Sequence, residues 1–197
     1  MELNPVNFRT PQSPTGWIEV ICGSMFSGKT EELIRRIKRA QIAKQRVQLF
    51  KPLIDNRYSK NHVTSHSSQQ LDAIQIENAE QILSLLGDNT RVVGIDEAQF
   101  LSSSVVEIAQ RLANRGLRVI VAGLDMDYRG LPFGSIPTLM AVAEFVTKMS
   151  AICVLCGSPA SRSQRRISPE VSNAQIAVGA EELYEARCRH CFEEPSA

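Results

Sequence analysis

The sequence has almost no net charge and no long apolar run, and each of these two shortages argues against a class of protein. Its 22 lysines and arginines nearly balance 21 acidic residues, so the net charge of +1 argues against a broad basic surface for nucleic acid. No apolar run approaches the length that spans a membrane. What remains is the composition of a soluble globular protein of 197 residues, long enough for a sizeable core and a small appendage.

The first 16 residues lack the apolar core that a secretion signal carries. Pro5, Pro11 and Pro14 instead indicate a flexible arm over residues 1–16. We therefore expect a cytoplasmic, reducing compartment. In such a compartment, paired cysteines indicate metal or redox chemistry more than disulfides.

Residues 23–30 match the phosphate-loop pattern G-x-x-x-x-G-K-[ST] at every fixed position. A short apolar strand at 18–22 precedes the loop and a helix follows it, so loop amides and a helix N-terminus converge on phosphate oxygens. Lys29 supplies a mobile charge for the β- and γ-phosphates, and the Thr30 hydroxyl can bind Mg²⁺. The loop residues predicted to bind nucleotide are Gly23, Ser24, Met25, Phe26, Ser27, Gly28, Lys29 and Thr30.

Two adjacent carboxylates, Asp96 and Glu97, end an apolar stretch that is predicted to be a strand over 91–96. An aspartate at a strand end downstream of a phosphate loop holds Mg²⁺, usually through water. Its neighbour points in another direction, so Glu97 can take a proton from an incoming hydroxyl or water.

Apolar strands alternate with amphipathic helices along residues 17–150, which predicts an α/β domain with a parallel sheet. The predicted strands are 18–22, 47–50, 91–96, 119–122 and 145–148, and the predicted helices are 31–40, 74–86, 105–114 and 136–143. In the first helix, Leu33, Ile34, Ile37 and Ala40 should face the core, whereas Arg35, Arg36, Lys38 and Arg39 should face water.

Two loops should leave the carboxyl edge of this sheet, where open α/β sheets bind ligands. The first, 53–71, is polar and aperiodic; Asp55 and Arg57 are either site residues or a surface pair, and His62 and His66 are expected at the surface. The second, 123–134, is rich in glycine and large apolar groups, which could be core or could wall a pocket for a flat ring.

Two C-x-x-C pairs lie in the segment 151–197, which we predict to be a second, zinc-binding unit. Cys153, Cys156, Cys188 and Cys191 offer four thiolates to one tetrahedral Zn²⁺. A redox pair and the replacement of one cysteine by His190 are less favoured alternatives. Cys22 is expected to be a buried thiol.

Taken in this order, the motifs resemble the type II thymidine kinases over residues 17–191. The motifs are residues 23–30, Asp96-Glu97-Ala98-Gln99-Phe100, Gly123-Leu124-Asp125, Pro132-Phe133-Gly134, and the paired cysteines around 178–180 and Tyr184. The resemblance implies a RecA-like phosphate-loop (P-loop) NTPase fold with a small zinc-binding lasso domain. It also implies transfer of the ATP γ-phosphoryl group to the 5′-hydroxyl of thymidine.

The same resemblance implies roles for individual residues. Glu97 matches the general base, Asp96 and Thr30 the magnesium positions, and Lys29 the phosphate lysine. The remaining nucleotide-site positions are Asp55, Arg57 and Gln99. The thymidine site would comprise Met25, Phe100, Leu124, Tyr128, Phe133, the lasso backbone at Gln175, Ile176, Ala177, Val178 and Gly179, and Tyr184. Thymidine is the implied partner, and a homotetramer the implied assembly, with no nucleic acid and no membrane involved.

Two rival functions fit parts of the pattern. In a RecA-like ATPase, Glu97 would activate water instead of a nucleoside. A zinc ribbon that grips nucleic acid is the other rival, but near-neutral charge and few aromatics near the cysteines argue against it. Under the kinase hypothesis, zinc orders the thymidine-binding segment, and the phosphate loop should not depend on the metal.

Overall fold

The fold is built on one six-stranded parallel sheet. A computed structural model describes residues 16–53, 62–64, 70–166 and 183–194. The strands are β1 (Trp17–Gly23), β2 (Val47–Pro52), β3 (His62–Thr64), β4 (Gln70–Asp72), β5 (Ile74–Ile76), β6 (Val92–Ile95), β7 (Arg118–Gly123), β8 (Phe145–Met149), β9 (Ala151–Ile152), β10 (Pro159–Ala160), β11 (Arg162–Arg165) and β12 (Tyr184–Arg187). In the main sheet the order is β5-β2-β6-β7-β1-β8, and every pairing is parallel, which confirms the predicted α/β fold.

Four α-helices accompany the strands, and among the described residues none is long and apolar enough to cross a membrane. They are α1 (Lys29–Ile42), α2 (Gln81–Leu85), α3 (Ser104–Asn114) and α4 (Ile136–Val142), and a 3₁₀-helix spans Ala98–Phe100.

Side chains of the sheet alternate between two apolar cores, one on each face. Val20 of β1 belongs to the core that α3 and α4 cover, and the next residue, Ile21, belongs to the core that α1 covers. This period of two is the one that a strand buried on both faces requires. In α1 the buried residues are Leu33, Ile34, Ile37 and Ala40, as predicted.

Arg36 is the exception to the predicted outer face of α1. Its side chain is 14% exposed, and it donates to Glu19 on β1 and to Thr147 on β8. A long arginine can reach back across the helix flank to a buried carboxylate, so the prediction that Arg36 faces water is wrong.

The predicted helix at 74–86 is also wrong in its first part. Residues Ile74–Ile76 form β5, an edge strand parallel to β2, and the helix is limited to Gln81–Leu85. Ile76, Ala79 and Ile82 are all buried, but a strand followed by one helical turn gives nearly the same apolar spacing as a continuous helix.

Two other boundaries differ from the prediction. Strand β2 continues through Lys51 and Pro52, where we expected it to stop. The loop predicted over 53–71 contains β3, which pairs antiparallel with β4. Strands of three residues are too short to leave a periodic pattern in the sequence.

The chain after residue 150 forms two small antiparallel ribbons, β9–β10 and β11–β12. The ribbons enclose an apolar cluster that contains Ala160, Ala186, Cys153 and Cys188. The division into separate units at residue 151 remains a prediction.

Candidate active site

The phosphate loop turns tightly between β1 and α1, and glycines occupy two of its three positions with a positive φ. Gly23 has φ +143°, and a Cβ there would lie 2.2 Å from the carbonyl oxygen of Met149. Gly28 has φ +82° and caps the N-terminus of α1. Both positions therefore require glycine, for conformation and, at Gly23, also for space.

The backbone carbonyl of Ser24 accepts two hydrogen bonds from side chains of the phosphate loop. Its carbonyl oxygen accepts from the Lys29 ammonium at 2.8 Å and from the Ser27 hydroxyl at 2.8 Å. The Lys29 side chain therefore folds back onto the loop from which it emerges.

Asp96 is joined to the phosphate loop through a side-chain contact. The Thr30 hydroxyl donates to Asp96 Oδ2 at 3.3 Å, and the Glu97 amide donates to Asp96 Oδ1 at 3.0 Å. Asp96 is 5% exposed and directly follows β6. A hydroxyl beside a buried carboxylate is a suitable oxygen pair for Mg²⁺ and its waters.

Glu97 occupies a left-handed turn with φ +50°, and its carboxylate is held by Gln99. The Gln99 amide nitrogen donates to Glu97 Oε2 at 2.5 Å, and its oxygen accepts from the Leu124 amide at 3.0 Å. Gln99 is 4% exposed. One buried glutamine therefore links the candidate base to the loop that follows β7.

Loop 123–134 is fixed by two buried aspartates. Asp127 Oδ1 accepts from the amides of Arg129 at 2.9 Å and Leu131 at 3.1 Å, and the Arg129 guanidinium pairs with Oδ2. Asp125 is 5% exposed and lies 2.7 Å from the Lys148 ammonium. The sequence prediction gave neither aspartate a role, although a repeated aspartate in a glycine-rich loop is a sign of local turn bonding.

The five residues predicted to wall the thymidine pocket are all partly exposed. They are Met25, Phe100, Leu124, Tyr128 and Phe133. The rings of Phe100 and Phe133 meet edge-to-face at 5.8 Å. The guanidinium of Arg165 lies 5.1 Å from the centre of the Tyr128 ring.

Tyr184 is 8% exposed and lies on β12, directly opposite Arg165 of β11. The structure therefore brings Tyr184 near the Tyr128 side of the site. Among the other predicted site residues, Asp55, Arg57, Gln175, Ile176, Ala177, Val178 and Gly179 lie outside the described residues, as does His66.

The four paired cysteines come together in one cluster. All four sulfurs lie within 4.8 Å of one another, and those of Cys156 and Cys188 are 3.6 Å apart. Zn–S bonds of about 2.3 Å in a tetrahedron place sulfurs about 3.8 Å apart, so the cluster fits a structural metal such as zinc. The two C-x-x-C turns have the same backbone hydrogen bond, because the amides of Gly157 and Phe192 donate to the carbonyls of Cys153 and Cys188.

The thiols of this cluster differ in acidity. Burial raises the pKa of Cys153, but backbone hydrogen bonds, that of Cys188 foremost, outweigh it and lower the pKa to about 6. Hydrogen bonds with Cys156 and Cys188 raise the pKa of Cys191 to about 12. A metal cation bound by the four sulfurs would replace the protons that the thiols share, because metal binding requires deprotonated thiols. Cys22 lies apart, fully buried, and burial raises its pKa to about 11.

The sequence prediction missed the contacts that hold the phosphate loop from outside. The Ser24 hydroxyl donates to the Ala160 carbonyl at 3.1 Å, and the Met25 amide donates to the Ser163 hydroxyl at 3.0 Å. Phe26 packs on the cluster around Cys153 and Cys188. The phosphate loop is therefore in direct contact with the ribbons that carry the cysteine cluster. The sequence had led us to expect a phosphate loop that does not depend on this part of the chain.

Glu19 is a second residue to which the sequence prediction gave no role. It is 4% exposed in the middle of β1 and pairs with Arg118 at 2.6 Å and Arg36 at 2.7 Å, while the Trp17 indole donates to it. A charged residue inside an otherwise apolar strand is the sequence signal that could have predicted a buried ion pair.

A family model described as thymidine kinase matches residues 16–192. The matched span contains the phosphate loop, the Asp96–Glu97 turn, loop 123–134 and both cysteine pairs. A match over nearly the whole chain establishes the family, and the geometry above accounts for its sequence motifs in physical terms. The chain belongs to the thymidine kinase family.

Proposed function

We propose that this protein transfers the γ-phosphoryl group of ATP to the 5′-hydroxyl of thymidine, giving dTMP and ADP. The observation that carries the proposal is the fixed carboxylate of Glu97. It follows Asp96, which is bonded to the phosphate loop through Thr30, and Gln99 ties it to loop 123–134. A carboxylate between a phosphate site and a pocket wall is suited to accept a proton from a hydroxyl that attacks the γ-phosphorus.

The phosphate side of the reaction is electrostatic. Phosphoryl transfer needs in-line positioning and charge neutralisation more than covalent chemistry. The loop amides and the N-terminus of α1 bind the phosphate oxygens, and Lys29 leaves the Ser24 carbonyl to bind the β- and γ-phosphates. Mg²⁺, held near Thr30 and Asp96, supplies further positive charge when bound.

The nucleoside side uses the partly exposed apolar residues of loop 123–134 together with Phe100 and Met25. The backbone of residues 175–179 reads the acceptor–donor–acceptor edge of thymine, as the family resemblance implies. Cytosine presents a different order of donors and acceptors and would leave buried groups unpaired. Such a mismatch excludes a wrong base more strongly than apolar fit does.

Zinc has a structural role in this proposal. Cys153, Cys156, Cys188 and Cys191 fill all four positions of a tetrahedral ion, so no position is open to water or substrate. Assembly as a homotetramer and a cytoplasmic location belong to the same proposal, and light scattering of the purified protein tests the first.

The decisive experiment measures ADP release from ATP and Mg²⁺ with each nucleoside added in turn. We expect release that depends on thymidine and a phosphorylated nucleoside as the second product. Equal release without any nucleoside would instead favour an ATPase in which Glu97 activates water.

A further inference from the structure

Three consecutive residues of the phosphate loop are held from outside by the metal-binding ribbons. Ser24 donates to the carbonyl of Ala160, the Met25 amide donates to the hydroxyl of Ser163, and Phe26 packs on the cysteine-lined cluster. Ser24, Ala160 and Ser163 are 2%, 0% and 4% exposed. The Ser24–Ala160 bond is buried and the Met25–Ser163 bond is partly buried, so both are less accessible to water than hydrogen bonds between mobile surface groups.

The loop needs this external support because part of its backbone is strained. Phe26 has φ +64°, in the left-handed region that a side chain with a Cβ disfavours. Within the loop, the Ser27 hydroxyl and the Lys29 ammonium both donate to the Ser24 carbonyl, whereas the Met25 amide donates to Ser163 outside the loop. Strained residues persist where the surroundings over-determine them.

Ser163 connects that support to the metal site through a short path. It lies on β11, where it pairs with Ala186 of β12, and Ala186 precedes the metal-ligand candidate Cys188 by two residues. Ala186 and Cys188 belong to the same buried cluster on which Phe26 packs. A fixed Cys188–Cys191 turn therefore restrains β12. Strand β12 restrains β11 through the pairing of Ala186 with Ser163, and Ser163 restrains the Met25 amide.

We propose that Ser163 is a positioning residue for the phosphate loop and that the metal-binding ribbons set the affinity for ATP through it. The inference rests on the proposed function, since it concerns the ATP site of that function. Ser163 accepts the Met25 amide from outside the loop and so restricts the conformations that the loop backbone can adopt. Without that bond, the loop samples other conformations, and its population in the phosphate-binding form decreases.

The test compares Ser163→Ala with Ser161→Ala. Ser161 lies two residues earlier in the same segment, and in the described part of the chain no hydrogen bond joins it to the phosphate loop. We expect Ser163→Ala to weaken MgATP binding about three- to tenfold in calorimetry, the size of one lost hydrogen bond. Zinc content should stay at the parental value in both variants, and Ser161→Ala should bind MgATP like the parent.

Hydrogen exchange gives a readout that does not depend on catalysis. The Met25 amide should exchange faster in Ser163→Ala than in the parent or in Ser161→Ala. A variant with a lower melting temperature but parental MgATP affinity and parental Met25 exchange would overturn the inference, because Ser163 would then serve stability alone. If the parent itself binds no MgATP, the proposed function fails and this inference with it.

Discussion

Single side chains in this site act in pairs, each held by a neighbour with a defined bond. Glu97 is held by Gln99, Asp96 by Thr30 and by the Glu97 amide. Such bonds keep a reacting group in place before substrate arrives, which avoids the cost of ordering it during the reaction.

The first prediction concerns Glu97 as general base. Glu97→Gln keeps the size of the side chain and removes the proton acceptor, so we expect ATP and thymidine to bind as in the parent. The rate of the chemical step should fall by roughly 10²–10⁴. Rapid-quench single-turnover measurements give this rate directly, and a variant within threefold of the parent would contradict the role.

The second prediction separates two roles of Gln99. Its amide is bonded to Glu97 and to Leu124, whereas the resemblance implies a contact with nucleotide. Gln99→Met keeps the length of the side chain but breaks both bonds, so kcat should fall roughly tenfold to a hundredfold, the worth of a hydrogen bond to a charged group. MgATP affinity should stay close to the parental value.

Gln110 on the exposed face of α3 supplies the matched control, because Gln110→Met makes the same change far from these bonds. If Gln99→Met instead loses MgATP affinity with unchanged kcat, Gln99 contacts the nucleotide and does not position the base.

At the scale of single elements, strand β1 depends on the buried carboxylate of Glu19. Glu19 joins β1 to Arg118 on β7 and to Arg36 on α1, and Arg36 continues to Thr147 on β8. Burial raises the pKa of Glu19, but hydrogen bonds from Arg118 and Trp17 outweigh it and hold the pKa below its usual value of 4.5.

The third prediction follows from that shift. A carboxyl with a lowered folded pKa stabilises the protein fully above the unfolded pKa, and the stabilisation is lost as pH falls through the folded pKa. Glu19→Gln should therefore cost on the order of 3 kcal/mol at pH 7, since it leaves two arginines without their buried partner. In urea denaturation, the difference from the parent should shrink as pH falls below 4.5.

The exposed Glu107 is the control, because Glu107→Gln makes the same chemical change on the surface of α3. A Glu19→Gln penalty that stays constant from pH 7 to below pH 4.5 would show that packing, not charge, holds β1 to its neighbours.

The fourth prediction concerns loop 123–134. Gly134 has φ +53°, and a Cβ there would lie 2.4 Å from the carbonyl oxygen of Gln99, a backbone atom that cannot yield cheaply. In Gly134→Ala, the clash should lower the free energy of unfolding by roughly 1–3 kcal/mol, in addition to the cost of the left-handed backbone, and should displace Gln99.

Gly130 is the control that measures the cost of the left-handed backbone without a clash. It also has a positive φ of +76°, but an added Cβ would meet its nearest atoms at 3.5 Å, which is ordinary contact. Gly130→Ala should therefore cost about 1–2 kcal/mol, the penalty of the left-handed conformation. Equal losses for the two variants in urea denaturation would exclude the clash at Gln99.

For the whole molecule, the ribbons that carry the cysteine cluster contact the α/β part of the chain at the phosphate loop. The sequence led us to expect that loss of zinc would affect thymidine alone. The contacts of Ser24, Met25 and Phe26 with the ribbons change that expectation.

The fifth prediction is that the protein carries one Zn²⁺ per chain and that its removal weakens both ligands. Elemental analysis after purification without chelator should give a one-to-one ratio, since the four sulfurs fit one tetrahedral ion. After mild chelation, calorimetry should show weaker binding of thymidine and of MgATP. Absence of metal in the purified protein, or unchanged MgATP affinity in the metal-free protein, would contradict it.

The sequence by itself determined the parts of this protein that local pattern encodes. The phosphate loop, the strands that precede Asp96 and Gly123, the apolar face of α1 and the four cysteines were all predicted where the structure has them. Each is fixed by neighbours along the chain: glycines that allow a turn, an apolar period of two or 3.6, or paired thiols at short spacing.

Tertiary structure alone decided which distant groups meet. Residues 74–76 became an edge strand because β2 offered backbone partners, although their apolar spacing also suited a helix. Arg36 turned inward because a buried carboxylate on β1 was within its reach, and Ser163 met Met25 across 138 positions of the chain. Such contacts depend on how sheets and ribbons pack, and no periodicity within one segment records where another segment will lie.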